Sequence, residues 1–90
     1  MYVRNKIVGI YMNIDSIEDE KLLDIIKKHQ ELDLSSFSFK ILLGQLKTKI
    51  DISNDSKVAI DAVRELRSYI NKYGKLPNLQ KDLSKIFNIQ

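Results

Sequence analysis

Apolar side chains recur at steps of three and four along almost the whole chain, the period of an amphipathic helix rather than of a strand. Val3, Ile7, Ile10, Tyr11 and Ile14 share one face, which predicts a first helix over Tyr2 to Asn13; its β-branched residues and Gly9 leave a strand open there. Ser16 and Asp19 form an S-x-x-D capping box, and Glu18, Asp19 and Glu20 suit a helix N-terminus, so a second helix is expected from this point to about Glu31. Leu22, Leu23, Ile25, Ile26 and His29 give its inward side.

Ser36 is placed to cap a third helix, along which Phe39, Leu42, Leu43, Leu46 and Ile50 keep the helical spacing. Gly44 interrupts that helix at a cost of about 1 kcal/mol against alanine, which suggests the close approach of a neighbouring helix. The connector DISNDS supplies Ser53 or Asn54 as the next cap, with Asp55 in the first turn. Ala59, Ala62, Val63, Leu66, Ile70 and Tyr73 then line a fourth helix; Lys72 lies in its last turn, Gly74 suits the left-handed position after it, and Pro77 lies beyond. Asn78 can cap a final stretch in which Leu79, Leu83, Ile86 and Phe87 form a short apolar stripe, a fifth helix or an ordered tail. Connectors of roughly two to six residues favour antiparallel neighbours. The expectation is one domain over residues 1–90: all-α, an antiparallel four-helix bundle with a short C-terminal fifth helix or tail.

Composition fits a globular chain, with 43% hydrophobic and 30% charged residues, too apolar for a disordered tail and too charged for a membrane protein. No segment approaches the roughly 20 apolar residues of a membrane span. The opening stretch has Arg4 and Lys6 before an apolar run, but Asn13 and Asp15 follow at once and no small-residue cleavage site appears, so a folded element of a cytoplasmic protein is expected. Cysteine is absent, which excludes disulfides and thiolate metal sites and matches an intracellular domain.

The net charge of +3 falls well short of a dedicated nucleic-acid binder, but it is unevenly spread. Residues 64–90 hold six cations (Arg64, Arg67, Lys72, Lys75, Lys81, Lys85) against Glu65 and Asp82. Such a third of the chain can meet an anionic surface, or be no more than solvated helix faces.

Catalytic parts are scarce. His29 is the one imidazole and falls on an apolar side, no Gly-rich phosphate loop exists, and the carboxylates of SIEDEKLLD lack the alternating ligands and central glycine of a calcium loop. The chain is therefore expected to be no enzyme and to use no cofactor or metal. HQELD shares four residues with the S-Q-E-L-D motif of small sporulation phosphatases, but the helical hairpin around it does not align. YGKLPNLQKDLSKIFNI resembles the opening of a winged helix-turn-helix, with no recognition helix after Gln90.

Read end to end, three stretches carry a broader likeness: NKIVGIYMNI with KLLDIIKKHQEL, then FSFKILLGQLKTKIDIS, then Val63-Arg64-Glu65-Leu66 through Tyr73-Gly74. Over residues 5–75 the chain resembles the enterocin A immunity protein family, which protects bacteria against class IIa (pediocin-like) bacteriocins. It departs in having Ser36-Phe37-Ser38 where a proline is common, and in the KLPNLQKDLSKIFNIQ end, which matches no family pattern. The resemblance implies a compact antiparallel four-helix bundle in the cytoplasm. Such a protein acts at the inner face of the membrane on the mannose phosphotransferase permease with bound bacteriocin, blocking the pore by binding and catalysing nothing.

The family's C-terminal half sets which bacteriocin is resisted, which corresponds here to the fourth helix and tail. Lys72, Tyr73, Lys75, Lys81, Lys85 and Phe87 are on that basis the partner-binding candidates, facing a receptor loop or an anionic membrane surface. The bland alternatives are that Tyr73 closes the core and Phe87 covers the bundle end. The competing functions are a small phage- or plasmid-type regulator that binds nucleic acid through its C-terminal part, and a helical inhibitor or adaptor.

Overall fold

In the computed structural model residues 14–87 are described, and the helix expected over Tyr2–Asn13 lies outside them. The described chain forms α1 (Asp19–Lys27), α2 (Phe37–Ser53), α3 (Ser56–Tyr73) and α4 (Pro77–Phe87). Single 3-10 turns at Ile14–Ser16 and His29–Glu31 flank α1, and no strand occurs among the described residues. None of these helices is long and apolar enough to cross a membrane.

The periodic stripes are the buried faces. Ala62, Val63, Leu66 and Ile70 of α3 pack with Leu22, Ile25 and Ile26 of α1 and with Phe39, Leu43 and Leu46 of α2. Leu79 and Leu83 bring α4 into the same core, and Ile14 and Leu34 join it from the connecting segments. Each large side chain fully buried here is worth about 1.5–3 kcal/mol against exposure, which is what holds short helices that would be marginal alone. Leu23, Leu42, Ile50, Ile86 and Phe87, expected inward, are only partly buried and pack against this cluster.

Helix ends depart from the sequence expectation in instructive ways. The Ser16–Asp19 box does not open α1: Ser16 belongs to a 3-10 turn in which Ile17 N–H donates to Ile14 O at 3.2 Å. Glu18 is the N-cap, without a side-chain capping bond, and Asp19 is spent on Arg67. Nor does α1 reach Glu31. Lys28 leaves helical geometry, and the His29 ring at Nδ1 donates to Ile26 O at 3.0 Å, competing for a carbonyl that helix continuation would use. Ser36 does cap α2, its hydroxyl accepting Phe39 N–H.

The next cap is neither Ser53 nor Asn54. Asn54 closes α2 in the left-handed conformation (φ 58°, ψ 25°), which asparagine tolerates, and the role passes to Asp55, whose carboxylate accepts Lys57 N–H at 2.9 Å. Pro77 is the first residue of α4, where its missing N–H costs nothing, so Asn78 lies inside the helix and does not cap it.

Two glycines also read differently in place. A Cβ on Gly44 would meet His29 Nε2 at 3.7 Å, an ordinary contact, so the neighbour is one imidazole edge and no helix crosses there. Gly74 is right-handed (φ −63°, ψ −17°), not left-handed. Its amide donates to Ile70 O at 2.7 Å, and a Cβ would sit 2.5 Å from that oxygen. The position excludes a side chain by contact, not by torsion.

Candidate functional site

The tight link between α3 and α4 shapes one end of the molecule. Gly74 draws the chain in against Ile70, Leu76 N–H donates to Tyr73 O at 3.0 Å, and Pro77 starts α4 immediately. The turn leaves Leu76 outward, 54% exposed. Facing it is Phe37, the first residue of α2, 73% exposed because it lies off the Phe39–Leu43–Leu46 stripe. Between Ser36–Ser38 and Leu76–Leu79 runs a groove of about 560 Å3. The starts of α2 and α4 both border it, so the positive ends of two helix dipoles meet there.

A row of rings leads from the core to this end. Phe39 is fully buried and stacks on Tyr69, with centroids 6.0 Å apart and planes inclined by 13°. Tyr69 meets Tyr73 at 4.8 Å and 49°, and Tyr73 is exposed at the surface. Lys72 Nζ lies 5.3 Å from the Tyr73 ring centroid, within the range of a cation–π contact. Tyr73 therefore does not close the core: it is the outer member of the row.

Beneath the groove, Asp82 of α4 is completely buried and accepts two backbone N–H groups, from Ser35 at 2.6 Å and Ser36 at 2.8 Å. The carboxylate thus satisfies amides at the start of α2 from a separate helix, in the position where a helix dipole favours negative charge. Lys85 adds a weaker tie one turn further on, its Nζ 3.4 Å from Asp33 O and 3.7 Å from the Asp33 carboxylate.

Of the expected partner residues, Lys72 lies over the Tyr73 ring and Lys75 is exposed in the α3–α4 link beside Leu76, and none of the three lines the groove. Lys81 is exposed on α4, one turn beyond Asn78. Lys85 is turned to Asp33, and Phe87 is half-buried against the core with Lys21 Nζ 6.0 Å from its ring centroid. The sequence reading passed over Phe37 and Leu76, which sit outside the apolar stripes. It also counted Asp82 only as a charge, although an acid spaced between Leu79 and Ile86 on an apolar face was a visible signal.

Elsewhere, Arg67 of α3, with its side chain 18% exposed, donates to Ile14 O, Ile17 O and the Asp19 carboxylate, tying the segment before α1 to α3. His29 and Gly44 border a second groove of about 550 Å3 on the α2 side. No group of three or more His, Cys, Asp or Glu side chains able to hold a metal occurs among the described residues. The chemistry assembled is that of contact: apolar side chains, rings and amines. No family model, curated protein or solved structure matches the chain.

Proposed function

We propose that this chain is a bacteriocin immunity protein of the enterocin A immunity type. It would protect the producing cell from a class IIa (pediocin-like) bacteriocin by non-catalytic binding at the cytoplasmic side of the mannose phosphotransferase permease once the toxin is bound. In this reading the described helices belong to an antiparallel four-helix bundle with α4 as its short C-terminal addition. The observation that carries it is the end where Phe37, Tyr73 and Leu76 stand exposed beside Lys72 and Lys75. Monomeric surfaces seldom leave large apolar side chains grouped without a use, and an amine over the Tyr73 ring with another next to Leu76 in the chain suits a protein contact next to an anionic membrane face. The resemblance over residues 5–75 supplies the identity of that partner.

A killing assay tests the reading. Expression in a sensitive Gram-positive host should raise the inhibitory dose of one pediocin-like bacteriocin in a panel and leave others unchanged. Folded, expressed protein that protects against none of a broad panel removes it. Salt-steep DNA binding in the same preparation would then favour a regulator.

A further inference from the structure

We propose that two copies of this chain pair through the outward face of α2. The two helices run antiparallel about a two-fold axis between Gln45 and Thr48, so that Ile52 of each copy covers Ile41 of the other and Asp51 of each meets Lys40 of the other. The pairing goes beyond the immunity reading and uses a different face. Phe37 lies past the end of the opposing helix, and Leu76 and Tyr73 stay outside the contact.

The first observation is that α2 is apolar on two sides. Phe39, Leu43 and Leu46 face the core and are fully buried. At 100° per residue Ile41, Thr48 and Ile52 project from the opposite side, and Ile41 is 45% and Ile52 78% exposed. A helix with apolar residues on both sides is suited to burial on both, whereas one side of α2 has no cover.

The second is the shape of that side. Ile41, Gly44, Gln45 and Thr48 stand at i, i+3, i+4 and i+7, the four positions that frame a hole for a side chain of a facing helix. They line the groove of about 550 Å3 that His29 rims, and Gly44 leaves its floor bare. The Thr48 hydroxyl donates to Gly44 O at 3.0 Å, so its hydrogen can be covered without losing a partner.

The third is charge, and it selects a second copy in reversed orientation. Lys40 and Asp51 lie on one flank of the exposed stripe, with the same spacing along the chain as Ile41 and Ile52. A single two-fold axis therefore brings both isoleucine pairs and both Lys–Asp pairs together. A parallel pair would set Lys40 against Lys40 and Asp51 against Asp51. A face whose apolar and charged positions both match their own reversal is self-complementary, which is what an isologous contact requires. One helix face is small for a permanent dimer, so the pair is reversible.

Sedimentation equilibrium of the full chain, up to about 500 μM, tests this. Weight-average mass should rise from monomer towards dimer. Ile52→Ser and Lys40→Glu should each weaken association about tenfold or more, and Lys40→Glu combined with Asp51→Lys should restore it. All three positions are exposed and the Lys47–Asp51 pair is worth little, so circular dichroism should show the fold kept. Orientation is read by cross-linking, since the chain has no cysteine of its own. Ile41→Cys and Ile52→Cys proteins should oxidise to a covalent dimer mainly when mixed. Monomer throughout the concentration range would overturn the proposal, whether the face is covered within the chain or kept for another partner. So would a charge swap that fails to rescue, or cross-linking of each cysteine variant chiefly with itself. Protection in the killing assay plays no part in these readouts, so pairing and immunity can fail separately.

Discussion

The carboxylate of Asp82 accepts the backbone N–H of Ser36 at 2.8 Å, joining residues 46 positions apart in the chain. Its other oxygen takes Ser35 N–H at 2.6 Å, so one buried acid on α4 completes the capping of α2 that the Ser36 hydroxyl begins at Phe39. The groove owes its shape to this join, because it fixes how the first turn of α4 sits against the first turn of α2.

Removing that acid should be costly. Asp82→Ala deletes two charge-assisted hydrogen bonds and strands two amides, an expected loss of about 3 kcal/mol. For a domain of this size that lowers the melting temperature by more than about 10 °C. Asp82→Asn keeps one acceptor but sets an NH2 against a donor, and should recover no more than about half of the loss. Urea unfolding of both variants checks this; an Asn variant as stable as the parent would show that charge and second acceptor contribute nothing.

Arg67 plays the matching part at the opposite end of the chain. Arg67→Ala should cost about 2–3 kcal/mol, since its guanidinium serves two carbonyls and a carboxylate from a mostly buried position. Arg67→Lys should not restore the loss, because one ammonium cannot span the three acceptors. Thermal melts measure the stability, and faster amide exchange confined to the α1 region would locate the effect. Full rescue by lysine would reduce the contact to a simple charge.

The two helix-associated glycines should respond in opposite directions. Gly44→Ala gains helix propensity with room for the methyl beside His29, so stability should rise by up to about 1 kcal/mol. Gly74→Ala places a methyl against Ile70 O and should destabilise, because that atom is backbone and the α3–α4 link would have to open. Chemical denaturation of the pair distinguishes the two mechanisms, and a destabilised Gly44→Ala would mean that the His29 ring cannot give way.

Lysines on α4 should affect contact more than folding. Lys81→Glu with Lys85→Glu leaves the core untouched, and the Lys85–Asp33 pair is solvent-exposed on both sides, so the melting temperature should barely move. Protection in the killing assay should weaken. Protection unaltered in the folded double variant would confine the contact to the Lys72–Lys75 end.

What was legible in the sequence was what local periodicity encodes. The Ala62–Val63–Leu66–Ile70 stripe and the Ser36 cap depend on residues within a few positions of one another, and both stand in the structure. The true ends of α1 were not legible, because Asp19 answers to Arg67 across 48 positions and the helix stops where His29 turns back on Ile26. Lys72, Tyr73 and Lys75 could be named from charge and family likeness, whereas Phe37 and Leu76 become a pair only when two helix starts are brought side by side. The fate of Asp82 likewise needed the third dimension, although its place among apolar neighbours marked it as unusual.

The Asp82–Ser36 bond also sets an order of events during synthesis. At about 5–20 residues per second, the acceptor is made roughly 2–9 s after the amide it will cap. Through that interval the start of α2 can be satisfied only by its own serine and by water, and the apolar faces awaiting Leu79 and Leu83 remain uncovered. The nascent chain is then most open to chaperones, to proteases and to pairing with another copy, and the arrival of one carboxylate ends that period.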